Sequence, residues 1–277
     1  MISTSNKDKY EKYKPKKFLG QNFLVDENIA KKIVASLNSE AGDNVLEIGP
    51  GKASLTKYLT EKDLNLIAVE LDKSAVAELS EKFGKKLHLI HKDFLKVDLE
   101  KELQEFISPD KKLKIIGNIP YNITTEILFK IFDKRAMISE AILMMQKEVA
   151  HRLIAEKDTK DYGILAVQTQ AFSKPEILFN VPPTAFFPKP NVTSTVVRFT
   201  FEPVKTRIAD EALFKKIVRA GFGKRRKTLR NSLKDLMKEL NIQESDLDLD
   251  MIRRPENLSV EEFTNLSNSI GVIISKK

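Results

Sequence analysis

No cysteine occurs in the 277 residues. That excludes disulfides, thiolate metal sites and cysteine nucleophiles together, and a reducing, cytoplasmic setting is the expectation. Histidine is scarce as well. His88, His91 and His151 are scattered without ligand spacing, so no metal site is predicted. No apolar run approaches the roughly 20 residues that would span a bilayer. The opening stretch MISTSNKDKYEKYKPKK has no apolar core, so no secretory signal is expected there. What is plentiful is positive charge: 47 Lys and Arg against 39 Asp and Glu, a net +8. A basic balance of that size points to a polyanionic partner, with nucleic acid the first to consider. Apolar residues make up 42% of the chain, enough to build a full core.

Along the chain, residues 1–17 read as a flexible basic arm. DENIAKKIVASL repeats Ile29, Ile33, Val34 and Leu37 at helical spacing, with Asp26 as its N-cap. Strands and helices then alternate: NVLEI, ASLTKYL, LNLIAVEL, KSAVAELSEKF, KLHLIHKD, KLKIIGN, TTEILFKIF, SEAILMMQ and KEVAHRLIAE. That alternation predicts right-handed βαβ units in a doubly wound, mostly parallel α/β sheet. After Gly163 the segments ILAVQTQAF, PEILFNV and VTSTVVRFTF read as β, an antiparallel addition at the sheet edge. From about residue 205 the pattern is helical again. The expected domains are therefore 18–204 for the α/β sheet and 205–277 for a small all-α domain.

In an open α/β sheet, ligands bind outside the carboxyl ends of the strands. Four successive strand ends here carry chemistry. EIGPGKAS puts Gly49 and Gly51 in a turn between strand and helix, where backbone can approach a ligand closely. Glu70 ends the next strand, and an acid there can take both hydroxyls of a ribose. This pair suits a dinucleotide as well as S-adenosylmethionine, but the third glycine of the dinucleotide fingerprint is missing. Asp93, in HKDF, can accept from an adenine amino group, or simply cap a turn.

The fourth strand end reads GNIPYNI. Its residue types suit methyl transfer to an exocyclic amine. An adenine N6 lone pair is delocalised into the ring, and two acceptors, the Asn118 amide oxygen and the Ile119 carbonyl, would turn it outward. Pro120 restricts Ile119 to extended backbone, and Tyr121 offers a face for base stacking, worth about 1–3 kcal/mol. No strong base is required, so catalysis would be alignment plus stabilisation of developing positive charge. A second ring, Phe186 or Phe187 in AFFPKPNVTS, would cover the other face of an extruded base. Residues 215–230 hold eight Lys or Arg and no acid. Lys224, Arg225, Arg226, Lys227 and Arg230 cluster at a helix start and are the predicted phosphate contacts.

With these pieces assembled the chain resembles the ribosomal RNA adenine N6-dimethyltransferases, and among them the small-subunit (16S) branch. The resemblance rests on KKFLGQNFL (16–24), VLEIGPG (45–51), NIPYNI (118–123), FFPKPNVTS (186–194), FGKRRKTLRNSL (222–233) and RRPENLSVEEF (253–263). It implies a Rossmann-like class I methyltransferase sheet and S-adenosyl-L-methionine as cofactor. Asn22 and Leu24 would close over that cofactor, Gly49 and Gly51 line its methionine part, Glu70 hold the ribose, Asp93 the adenine, and Asn118 stand between donor and target. Phe186 is the aromatic that aligns with the family pattern. The family usually has Gly where this chain has Ala53, a position read here as packing helix against strand. The implied substrate is two adjacent adenosines in a hairpin near the 3′ end of 16S rRNA, within the small subunit or its precursor, with a monomeric enzyme expected. Two other readings share part of the pattern: the 23S rRNA adenine methyltransferases and a non-catalytic RNA-binding assembly factor.

Overall fold

The structure, a computed structural model, describes residues 21–201, 207–224 and 226–276. The basic arm expected over 1–17 and the predicted phosphate contact Arg225 lie outside the described residues. In chain order the elements are β1 (Phe23–Leu24), α1 (Glu27–Ser36), β2 (Asp43–Ile48), α2 (Thr56–Leu59), β3 (Leu64–Glu70), α3 (Lys73–Phe83), β4 (His88–His91), α4 (Leu99–Leu103), β5 (Leu113–Asn118), α5 (Thr124–Asp133), β6 (Ile138–Gln146), α6 (Lys147–Leu153), α7 (Ile164–Phe172), β7 (Lys174–Val181), β8 (Phe186–Phe187), β9 (Ser194–Thr200), α8 (Glu211–Phe222), α9 (Leu229–Glu239) and α10 (Val260–Ser275).

The main sheet runs in the order β4-β3-β2-β5-β6-β9-β7. From β4 to β6 every pairing is parallel, and β9 lies antiparallel to β6. All six residues of β2 are buried, as expected for a strand covered on both faces. β2 has β3 on one side and β5 on the other, so the chain winds outward in both directions from there. That reversal opens a crevice at the strands' carboxyl ends, where ligands bind in such sheets. β1 and β8 form a separate antiparallel ribbon, with Phe23 opposite Phe187 and Leu24 opposite Phe186. Local signals agree with the elements they launch. Asp26 accepts from the Asn28 and Ile29 amides at the head of α1, and Asp72 accepts from the Ser74 amide at the head of α3.

ILAVQTQAF is a helix, α7, and not the expected strand. Leu165 to Thr169, Ala171 and Phe172 are all buried, so no polar stripe marks a helical period and a short apolar run reads equally as strand. The division of the chain differs accordingly. Among the described residues, one compact unit comprises those up to Ala150 together with Glu176–Phe201, and the other His151–Pro175 together with those from Arg207 onward. The expected single break near residue 205 is thus only one of the crossings. The second unit is built around aromatic contacts. Phe172 meets Phe214 edge-on at 5.7 Å, and Phe222 lies 5.7 Å from Phe263. Ser259 and Glu262 cap α10 reciprocally.

Candidate active site

A cleft of about 260 Å³ lies at the carboxyl ends of β2, β3, β4 and β5, whereas one water needs only about 10–15 Å³. It is lined by Asn22, Leu24, Gly49, Gly51, Glu70, Asp93, Asn118, Ile119, Pro120 and Tyr121 among others. The strand-end residues singled out from sequence therefore meet in one cavity.

The turn after β2 places Gly49 at φ 64° and Gly51 at φ 52°, a left-handed backbone that side chains disfavour. A Cβ on Gly49 would meet no atom within 4 Å, so the space beside this backbone is open to a ligand. Ala53 follows at φ 64° and only 3% exposed. What glycine supplies here is conformational freedom rather than small size, which corrects the packing explanation.

Glu70 is buried at the end of β3. Its Oε2 accepts from the Gly51 amide at 2.9 Å and its Oε1 from the Asp72 amide at 2.8 Å. The carboxylate is thereby fixed, with lone pairs left for two hydroxyls. Asp93 caps the short turn Phe94–Lys96, its Oδ1 accepting from the Leu95 amide at 2.9 Å. The capping role considered from sequence is real, and it uses one oxygen of two.

Asn118 Nδ2 donates to the Asn22 carbonyl at 2.9 Å. A carbonyl only accepts, so the NH2 must face it, and Asn118 Oδ1 is left as an acceptor without a partner among the described residues. The Ile119 side chain is buried at 1% exposure, and its amide donates to the Met144 carbonyl. Tyr121 is anchored through its hydroxyl, 2.5 Å from Ser194 Oγ. Burial raises the Tyr121 pKa above its ordinary value, so this phenol serves as an anchor and not as a base.

Phe186 does not fit the stacking role expected of it. It is 4% exposed and packs in the core with Leu24, Val181 and Ala185. Phe187, its half-buried neighbour, is the ring left accessible. Sequence reading also missed Glu47, which lines the cleft at 1% exposure with no partner for Oε2 among the described residues. An acid within the run VLEIGPG was the available signal. The cleft lysines Lys52 and Lys92 pair with Glu78 and Glu102 at 2.9 and 2.8 Å. Glu70 and Asp93 thus give the cavity an acidic lining.

Residues 12–271 match the ribosomal RNA adenine dimethylase family. The chain belongs to that family. It is 41% identical over 271 residues to ribosomal RNA small subunit methyltransferase A of Alkaliphilus oremlandii, covering 95% of this chain and 94% of that one. It is 42% identical over 263 residues to the protein of the same name in Francisella tularensis subsp. novicida, covering 94% and 99%. Among solved structures, a dimethyladenosine transferase from Plasmodium falciparum superposes with a TM-score of 0.69 at 22% identity, over 91% of this chain and 96% of that one. The 23S rRNA methyltransferase ErmE superposes with a TM-score of 0.62 at 22% identity, over 90% and 100%. Both likenesses establish the fold, a class I methyltransferase sheet, which is the fold expected from sequence.

In this dimethylase-family chain the basic cluster is not uniformly available. Arg230 is clasped by Glu244 through two hydrogen bonds of 2.7 and 2.6 Å, and Lys224 Nζ lies 2.8 Å from Asp235. Arg226 and Lys227 are exposed and make no ion pair among the described residues.

Proposed function

We propose that this protein transfers methyl groups from S-adenosyl-L-methionine to N6 of two adjacent adenosines near the 3′ end of 16S rRNA, within the small ribosomal subunit or its precursor. The observation that carries this reading is the orientation of Asn118. Its amide is turned by Asn22 so that Oδ1 remains an acceptor at the cleft. Relatives at 41% and 42% identity whose names specify the small subunit support the choice of rRNA.

The residues of the cleft fit the cofactor. Glu70 has lone pairs for ribose hydroxyls, Asp93 one oxygen for the adenine amine, and the Gly49 backbone leaves open space. The acidic lining suits a cationic ligand. When bound, S-adenosylmethionine supplies a methyl group already activated by a positively charged sulfur. Asn118 Oδ1 and the Ile119 carbonyl accept the N6 hydrogens, directing the lone pair at the methyl. Pro120, at φ −60° and ψ 131°, braces that turn. Tyr121, held by Ser194, supports one face of the base, and Phe187 rather than Phe186 covers the other. As the new C–N bond formed and the methyl–sulfur bond broke, its electron pair staying with the departing neutral thioether, the same acceptors would stabilise charge on nitrogen until its proton left to solvent. Because the Asn118 oxygen is a neutral acceptor, it still orients an amine that has already lost one hydrogen, which permits the second transfer.

The protein in this reading works in the cytoplasm as a monomer. The test is transfer of labelled methyl from S-adenosylmethionine to unmethylated 30S subunits and, separately, to 50S subunits. Incorporation as dimethyladenosine in 16S rRNA alone is the expected result. Label in 23S rRNA would favour the other branch of the fold, and no label in either would end the enzyme reading.

A further inference from the structure

Lys130 lies in the second half of α5, the helix launched by the NIPYNI turn, yet its ammonium reaches the turn after β4. Nζ donates to the Leu95 carbonyl at 2.9 Å and to the Val97 carbonyl at 2.5 Å, and it stands 5.5 Å from the centre of the Phe94 ring. The same turn is tethered at its other end by Asp93, which accepts from the Leu95 amide at 2.9 Å. Leu95 is therefore gripped on both sides, its N–H by the carboxylate and its C=O by the ammonium. A three-residue 3₁₀ turn has poor internal hydrogen-bond geometry, so this outside clamp decides how firmly it is held. Burial draws the Lys130 ammonium below its usual pKa, and the Asp93, Asp98 and Glu102 carboxylates oppose that shift while Lys134 adds to it.

We propose that Lys130 is a positioning residue for adenine recognition: by locking the Phe94–Lys96 turn against α5, it keeps the second oxygen of Asp93 aimed at the cofactor's 6-amino group. This rests on the reading of Asp93 as the adenine acceptor. It also ties the element that reads the donor to the helix that begins at the catalytic turn.

The clamp is tested by calorimetric binding of S-adenosylhomocysteine and S-inosylhomocysteine, which differ by replacing the 6-amino donor with an oxo group. Wild type and Lys130→Arg should prefer the adenosyl compound. Lys130→Met should lose about tenfold of that preference, the size of one charge-assisted hydrogen bond, while affinity for 30S subunits stays unchanged. A merely structural lysine would alter melting temperature or weaken both ligands equally. If Lys130→Met does not fold, Lys130→Gln is read in the same way. Full preference in the Lys130 variant, with preference lost in Asp93→Asn, overturns the inference and leaves the adenine reading standing. Full preference in Asp93→Asn overturns the adenine reading, and the inference falls with it.

Discussion

The side chain of Asn118 and the main chain of Asn22 are joined by a single 2.9 Å hydrogen bond across 96 residues of sequence. That bond joins the segment entering β1 to the end of β5, and it decides which atom of Asn118 is offered to a substrate. Asn118→Asp would set a carboxylate oxygen against the Asn22 carbonyl, where neither can donate. Affinity for S-adenosylhomocysteine should fall about tenfold, and methyl transfer to 30S subunits about 100-fold or more. Calorimetry and single-turnover labelling measure the two effects separately. If the residual product shows the wild-type ratio of dimethyl to monomethyl adenosine, the neutrality of residue 118 has no part in the second transfer.

Ala53 offers a test of backbone strain. At φ 64° a left-handed alanine costs about 1–2 kcal/mol. Replacing it by Gly relieves that strain but loses a buried methyl, about 0.8 kcal/mol, and frees the unfolded chain by about 0.4–1 kcal/mol. The terms nearly cancel, so Ala53→Gly should unfold within about 1 kcal/mol of wild type. Ala53→Val should be destabilised by about 2–4 kcal/mol, because a β-branched residue is a genuine outlier at this φ and also overfills a buried site. Urea unfolding of the two variants checks both values; a harmless valine would show that φ is not the constraint.

A pH dependence follows from Glu47. Burial, reinforced by the neighbouring Glu70 carboxylate, pushes its carboxyl up to about 8 from an ordinary 4.5. Between those values the folded protein keeps a proton that the unfolded chain has lost. Stability is therefore highest, as far as this group is concerned, below its unfolded pKa, and declines as pH rises toward the folded one. Relative to Glu47→Gln, the wild-type protein should lose a few kcal/mol of unfolding free energy between about pH 5 and about pH 8. Parallel curves for the two proteins would mean that Glu47 ionises in the fold much as it does in the unfolded chain.

The basic cluster should divide into two classes in RNA binding. Arg226 and Lys227 have no carboxylate partner among the described residues, so the Arg226→Ala, Lys227→Ala double variant should flatten the slope of log affinity against log salt by about 1.5–2. Arg230→Ala should change the slope by less than one phosphate's worth, since Arg230 must first leave Glu244. Filter binding of 30S subunits across a salt series gives both slopes, and equal effects would show that the Glu244 clasp is open on the RNA.

The strand ends were legible because each carries a residue type whose use depends on place. Gly49, Glu70, Asp93 and Asn118 line one cleft, as their succession at the ends of β2 to β5 implied. Segments with a strong polar stripe or a clear cap were legible too; KSAVAELSEKF and α3 coincide residue for residue. What failed was legibility under complete burial. α7 shows no stripe because nearly every side chain is covered. Phe186 and Phe187 look alike in sequence, and only the register of β8 against β1 sends one inward. Lys130 could not be assigned from its helix, because its partners are carbonyls of a turn more than 30 residues earlier. Ion pairs such as Arg230 with Glu244 likewise leave no mark in a count of charges.

The ribbon of β1 and β8 is two residues long on each side. One strand continues from Gln21 and Asn22, which line the cleft; the other leads into Pro188 and Pro190, the arm assigned to the target base. The Val25 amide adds a further rung, donating to the Ala185 carbonyl at 2.8 Å, so the two segments are fastened beyond the ribbon itself. In the proposed reading the cofactor side and the base side of the site thus share one short seam, and a substitution that loosens either strand reaches both.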